Sequence, residues 1–295
     1  MDKVYLPENL PEMDLPEIPL AVFGDPIAHS LSPLMQGAAL DFLGMAQKAK
    51  YYKFKVSADS LENVLPKFAE RNFWGLNLTI PLKEKVLQII DKSDDLSKMC
   101  GACNTLKREG TSWVGFNTDG FGIECSLKVN FGKSFYGESI LIFGAGGAAK
   151  GAAFAAAIGG AKKIYIANRT KEKAEALAKS LRDNGFNSVV YTESWAKKIG
   201  VIINATSLGL KESDNAVCDF TQFEKSAVFC DMVYKAKGQT ISQLAADKQN
   251  IKSCSGISML AWQGAKSLQH WFGFDSETLF KTGKLMEKTL RDNAK

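Results

Sequence analysis

Apolar positions follow two rhythms along this chain, and the rhythms alternate. Short runs such as "PLAVFG", "YYKFKV" and "GLNLTI" are apolar throughout or at every second residue. Between them, Ser32–Leu43 and Asp59–Arg71 carry apolar residues every three to four positions. The first rhythm predicts strands, the second helices. In "WGLNLTIPLKEKV", Leu76, Leu78 and Ile80 alternate with Gly75, Asn77 and Thr79, which predicts a strand with one buried face. Pro81 cannot donate to a strand ladder and suits a first helical turn. Lys83 therefore falls at a strand-to-helix corner, with Asn77 and Thr79 on one face behind it. "NTLKREGTSWVGF" predicts a hairpin turning at Glu109-Gly110, and Asp119–Val129 a helix leading out of this half.

The second half repeats the alternation with more regular spacing. Ser139–Phe143 reads as a buried strand, followed by a glycine cluster and a helix of small residues. "KKIYIANRT", Lys171–Asp183, "VIINAT" and "AVFCDMV" continue as strand, helix, strand, strand. The stretch from Gly256 to the end predicts two helices with no strand between them. Strands alternating with helices imply an α/β fold with a parallel, doubly wound sheet and right-handed crossovers.

Composition narrows the chemistry. The 295 residues, 45% hydrophobic and 23% charged, suit two domains of an ordinary globular protein. A net charge of +5 without a basic, aromatic-laced block argues against nucleic acid and is compatible with a small anionic ligand. No apolar run reaches membrane-spanning length. The acidic, proline-spaced start "MDKVYLPENLPEMDLPEIP" is unlike a signal peptide, so residues 1–18 are expected to form an extended arm, and the protein to be cytoplasmic. Cys100-Gly-Ala-Cys103 has no second such pair, and His29 and His270 are the only histidines. No metal is expected, and packed, reduced thiols are preferred to a redox pair.

Gly144-Ala145-Gly146-Gly147-Ala148-Ala149 follows a strand and opens a helix, the setting in which glycines let backbone amides approach a pyrophosphate. At the end of the next strand, where NAD sites carry an acid for the ribose, stand Asn168, Arg169 and Thr170, with Lys173 beyond. A guanidinium there fits a 2′-phosphate, so NADP is the expected cofactor; the competing reading is an arginine that only meets solvent. In the first half, "GDPIAHSLSPLM" sets Ser30 and Ser32 two apart, either as a carboxylate cradle or, with Pro33, as a plain helix cap. Asp119 lies in the polar cluster "GFNTDGFG". A lysine and an aspartate brought together form an acid/base pair able to move a hydroxyl proton.

In this order, "GDPIAHSLSP", "NLTIPLKE", "GACNTL", "GFNTDGFG", "GAGGAA", "NRT", "DMVY" and "GISMLAWQGA" closely resemble the shikimate dehydrogenase family, over roughly residues 19 to 272. The resemblance implies reversible, NADP-dependent interconversion of shikimate and 3-dehydroshikimate in the chorismate (aromatic amino acid) pathway. It implies Lys83 as acid/base with Asp119 as partner, and Ser30, Ser32 and Thr79 at the substrate carboxylate with Tyr234 close by. Asn104 and Gln263 would hold ring hydroxyls, with Asn77 also at the substrate. Gly144–Ala148, Asn168, Arg169, Thr170 and Lys173 would hold the cofactor, with Met232 and Gly256 at its nicotinamide end. The implied organisation is a substrate domain of 19–122 plus 257–295 and a Rossmann domain of 123–256, the C-terminal helices returning to the first domain so that Gln263 reaches the substrate. A monomer or homodimer is expected.

Two departures stand out. Gln36-Gly37 occupies the place where the family commonly has His-Asn, and Cys103 that of an aliphatic residue. Gln36 and "LAWQGA" resemble the quinate/shikimate branch, which leaves broader substrate or NAD use as an alternative. A folate-linked dehydrogenase would not need the paired serines or Gln263. A non-catalytic NADP sensor would not need Lys83 and Asp119.

Overall fold

The computed structural model describes residues 3–209, 211–235 and 238–293. Along the chain run β1 (Val4–Tyr5), β2 (Ile18–Gly24), α1 (Ser32–Phe42), β3 (Ala49–Lys55), α2 (Leu61–Glu70), β4 (Gly75–Leu78) and α3 (Leu82–Lys85). Next come β5 (Lys92–Ser93), α4 (Asp95–Cys100), β6 (Thr105–Glu109), β7 (Ser112–Phe116) and α5 (Asp119–Phe131). The glycine-rich part follows with β8 (Ser139–Phe143), α6 (Gly147–Ile158), β9 (Lys163–Ala167), α7 (Lys171–Asp183), β10 (Ser188–Val190) and β11 (Val201–Asn204). The chain closes with β12 (Val228–Asp231), α8 (Ile241–Lys248), β13 (Lys252–Cys254), α9 (Gly256–Phe272) and α10 (Ser276–Asn293).

These elements divide into two compact units. One takes in the chain up to Thr118 together with Gln263–Asp292, the other Asp119–Trp262. The divisions fall there rather than at 122/123 and 256/257. Asp119–Gly122 go with the second unit because they are the first turn of the continuous helix α5.

The first unit holds a seven-stranded sheet ordered β1-β3-β2-β4-β6-β7-β5, in which β1, β3, β2 and β4 are mutually parallel and β6 and β7 form an antiparallel hairpin beside them. One face buries an aromatic cluster of Phe23, Phe54, Phe68 and Phe73, with Phe23 and Phe68 edge to face at 4.6 Å between ring centroids. Two expectations change here. The arm expected over residues 1–18 is packed on the sheet where it is described, residues 3–18: Val4 and Tyr5 pair with Lys53 and Phe54 of β3, and Leu10 is buried in the core. The apolar residues spaced through the segment, Tyr5, Leu10, Met13 and Leu15, pack on the same cluster. Strand β4 is covered on both faces, because it lies inside the sheet: Leu76 and Leu78 enter the aromatic cluster, while Gly75 and Asn77 lie under α9.

The second unit is a six-stranded, all-parallel sheet ordered β10-β9-β8-β11-β12-β13, the doubly wound order in which the chain reverses direction beside the first strand. Its strands are buried on both sides, which is why β8, β9, β11 and β12 read as nearly unbroken apolar runs.

Candidate active site

In the first unit, polar groups gather where β4 and β6 meet α9. The N–H of Thr79 donates to Phe23 O (2.9 Å) and that of Leu82 to Thr79 O (2.8 Å), so the chain turns tightly after β4. The cis Ile80–Pro81 bond lies in this turn, and Pro81 stands at the cap position of the one-turn helix α3. The carbonyl of Lys83 accepts from the Cys103 N–H (2.8 Å), which ties the lysine's backbone to the strand beside it; its side chain is half-buried.

Behind this corner lies a buried amide and hydroxyl network. Asn104 Oδ1 accepts from the Thr118 N–H (2.8 Å), which fixes the amide's orientation and leaves Nδ2 to donate to Thr118 Oγ1 (3.0 Å) and Gln263 Oε1 (3.3 Å). The two residues expected at ring hydroxyls are thus together. Asn77 belongs to the same network. Its Oδ1 accepts from Tyr51 Oη (2.8 Å), and its Nδ2 faces Thr105 Oγ1 (3.0 Å), Ser267 Oγ (2.9 Å) and Asn104 O (3.2 Å), so its amide is engaged by the protein itself. Sequence reasoning did not single out Tyr51, Thr105, Thr118 or Ser267. The signal for Ser267 was its place one helical turn after Gln263, and its hydroxyl donates to Gln263 O (3.0 Å).

Ser32 is the first residue of α1 rather than its cap, and Leu31 at the cap position makes no side-chain cap bond. The Ser30 hydroxyl accepts from the Ser32 N–H (3.3 Å), and the Ser32 side chain lies beside Tyr51. Burial pushes the Tyr51 hydroxyl well above its ordinary range, with the Ser32 side chain opposing, so Tyr51 stays a neutral donor. Ser32 is therefore not the cap of α1, and the Ser30 hydroxyl is the one that meets an N–H of its first turn. Nor do Cys100 and Cys103 form an exposed redox pair: both are buried, their thiols donate to Ala102 O (3.2 Å) and Thr105 O (3.3 Å), and burial pushes the Cys103 thiol up to about 12.

In the second unit, the glycine loop leaves β8 with Gly144 at φ +118°, where a Cβ would also stand 3.0 Å from Ala205 O. Only glycine fits that turn. Gly146 caps α6 without a side-chain bond and is exposed, while Gly147 and Ala148 begin the helix, so no side chain covers its N-terminal amides. This open helix terminus fits a pyrophosphate. Asn168 Nδ2 donates to Thr170 O (2.9 Å), which shapes the turn after β9; Arg169, Thr170 and Lys173 are exposed there. Asp119 heads α5 with 2% of its surface exposed, and Tyr234 is half-buried after β12.

The ends of β11 and β12 are joined by a network that the sequence reading passed over. Asp231 is fully buried. Its Oδ1 accepts from Asn204 Nδ2 (3.0 Å) and the Val233 N–H (3.2 Å), and its Oδ2 from Thr240 Oγ1 (2.6 Å). Asn204 Oδ1 in turn accepts from the N–H (3.0 Å) and hydroxyl (2.7 Å) of Thr206. The Met232 N–H donates to Asn204 O (3.0 Å) and the Gly256 N–H to Val233 O (3.0 Å), so both residues expected at the nicotinamide end are placed by this network. Burial raises the Asp231 carboxyl to about 6, against the bonds from Thr240, Val233 and Asn204.

The sign of the linkage follows. Below the ordinary value of 3.8 the group is protonated in both states, and its contribution to stability is fully present. As pH rises through the folded value near 6, the folded protein gives up a proton that the unfolded chain has already lost, and stability falls by about 2–3 kcal/mol. Asp231→Asn removes this titration. The difference in unfolding free energy between the variant and the unaltered protein should shift by about that amount in the variant's favour between pH 4 and pH 7. A difference independent of pH would contradict the assignment.

Family comparisons agree with this geometry. Residues 22–106 match the shikimate dehydrogenase substrate binding domain, and residues 127–231 match the shikimate / quinate 5-dehydrogenase domain. Shikimate dehydrogenase (NADP(+)) of Aquifex aeolicus is 35% identical over 252 residues, covering 85% of this chain and 90% of its own. The same enzyme of Methanococcoides burtonii is 37% identical over 254 residues, covering 86% and 91%. Among solved structures, shikimate 5-dehydrogenase from Thermus thermophilus, in complex with NADP(H) and shikimate, superposes with a TM-score of 0.81 at 33% identity, covering 94% of this chain and 99% of that one. Likeness of this extent, in both halves and in sequence and fold alike, means that the chain belongs to the shikimate dehydrogenase family.

Proposed function

We propose that this protein interconverts shikimate and 3-dehydroshikimate reversibly with NADP, as a step of aromatic amino acid biosynthesis. The observation that carries the reading is the buried pair of Asn104 and Gln263, amide to amide at 3.3 Å and locked by Thr118. Such a pair is built to meet hydroxyls, and a site whose buried amides would be left unsatisfied rejects ligands lacking them. Ser30, Ser32 and Thr79 take the carboxylate, and Tyr234 lies near it. Gly144–Ala148 approach the pyrophosphate through backbone amides, Arg169 with Asn168, Thr170 and Lys173 takes the 2′-phosphate, and Met232 and Gly256 border the nicotinamide. NADP supplies the two-electron acceptor for the carbinol hydride. Lys83, as the amine, accepts the hydroxyl proton during oxidation and, as the ammonium, returns it to the carbonyl oxygen during reduction. Asp119 orients the lysine and the reacting hydroxyl. The free cysteines suit a reducing compartment, the cytoplasm, and no helix of the described residues is long and apolar enough to cross a membrane.

Arg169 tests the cofactor assignment. Arg169→Ala should weaken NADP by roughly 1.5–3 kcal/mol, the range for a lost charge-assisted contact, and leave NAD almost unchanged. Titration of both dinucleotides against the variant measures this; equal losses would show that Arg169 does not read the 2′-phosphate.

A further inference from the structure

Among the described residues, four lysine, arginine, aspartate or glutamate side chains are buried: Lys53, Asp119, Asp231 and Glu287. Asp231 has its three donors and Glu287 its ion pair with Arg291. Asp119 is already given a part in proton transfer. Lys53 is accounted for by none of this. It is 3% exposed, its Nζ donates to one acceptor, Ala28 O at 3.0 Å, and no carboxylate of the described residues lies within ion-pair distance. A buried ammonium without a counter-charge is costly, and such charges are normally paired.

Its place in the sheet shows what supplies the missing charge. Tyr52 and Phe54 turn into the aromatic core, so Tyr51 and Lys53 share the opposite face of β3. Lys53 is in register with Val22, and Val22 with Asn77, so the lysine lies in the same row of the sheet as Asn77. Tyr51, on that face, bonds to Asn77 and lies beside Ser32. Ala28, the lysine's acceptor, is two residues before Ser30, so Lys53 lies beneath the turn that presents Ser30 and Ser32. This is the C-terminal end of the parallel strands, where α/β sheets bind ligands.

We propose that Lys53 is the buried counter-charge of the substrate carboxylate and makes this site selective for anionic ring substrates. The proposal rests on the carboxylate cradle of Ser30 and Ser32. Lys53 acts on the carboxylate through the low dielectric beneath the turn and holds the turn through Ala28 O. The Coulombic part distinguishes a charged ligand from a neutral one of the same shape.

The test compares Lys53→Gln, Lys53→Met and Lys53→Arg in the full chain, with shikimate and its uncharged methyl ester as substrates. Lys53→Gln keeps a donor for Ala28 O and loses the charge. It should raise the KM for shikimate on the order of tenfold, with kcat and the KM for NADP little changed and the KM for the ester unaltered. Lys53→Met should show the same selective loss plus a smaller loss for the ester, because the turn loses its bond. Lys53→Arg keeps the charge and should retain the preference for shikimate. Lys53→Gln with a native shikimate KM, or losing shikimate and ester alike, would overturn the proposal. If the Gln and Met variants do not fold, the Arg variant decides: loss of the preference for shikimate overturns the charge role. The Ser30→Ala/Ser32→Ala double variant separates this from the reading beneath it. Serines that matter while Lys53 does not sink Lys53 alone. Serines that do not matter sink the cradle, and the proposal with it.

Discussion

Lys83→Ala is expected to lower kcat by roughly 10²–10⁴-fold, the usual contribution of a positioned acid/base, while the KM for shikimate changes much less. The lysine follows the tight turn closed by the Thr79 and Leu82 bonds, and its carbonyl is held by the Cys103 N–H. Its backbone therefore keeps its place when the side chain is cut back, and the loss is one of chemistry rather than of folding. Steady-state rates at saturating NADP and shikimate measure it. A variant with near-native kcat would remove Lys83 from proton transfer. A variant with native kcat and a raised KM would make it a binding group instead.

Trp271→Ala should carry the largest stability cost, about 3–5 kcal/mol for truncating a buried tryptophan. Only 2% of Trp271 is exposed. Its indole N–H donates to Leu106 O (2.8 Å), and its ring lies so close over Gly75 that a Cβ there would stand 2.2 Å from Nε1. Its carbonyl also accepts from Trp74 Nε1 (3.0 Å). Truncation opens a cavity on the face of β4 that carries Asn77, and it removes the indole bond to the Leu106 carbonyl. With two compact units the chain need not unfold in one step, so the measurement is the urea midpoint of the transition belonging to the first unit. The KM for shikimate should rise together with the loss of stability, because Ser267 on the same helix bonds Asn77. A midpoint within experimental scatter of the unaltered protein would show that the indole is not the brace of this face.

Within the Rossmann unit, β8 and α7 are bounded as their apolar patterns indicate and Gly144 marks the turn, whereas the pattern does not mark β10, α8 or β13. Interior parallel strands are continuous apolar runs and cannot be mistaken for surface. What escaped was set by neighbours rather than by local pattern. Alternation in β4 predicts one buried face, yet an inner position under α9 buries both. Alternation in "YYKFKV" gives no sign that Lys53 is buried, because its hydrogen-bond acceptor, Ala28, lies in a turn distant in the sequence. The two- and three-residue strands β1, β5, β10 and β13 are too short to show a period.

Candidate site residues are named by the motifs that carry them, as for Ser30, Lys83 and Asn104. The partners that orient them were not. Thr118, Ser267 and Asp231 become visible only once strand ends and helix turns are brought together, as do the hydrogen bonds that hold the Asn77 amide.

The most direct measurement is the initial rate of nicotinamide reduction by the unaltered protein with shikimate and with quinate, each in the presence of NADP and of NAD. The highest kcat/KM is expected for shikimate with NADP, because the proposed site gives its hydroxyls the paired amides of Asn104 and Gln263 and the 2′-phosphate Arg169. No reduction with shikimate, or a higher kcat/KM with quinate or with NAD, would contradict the account.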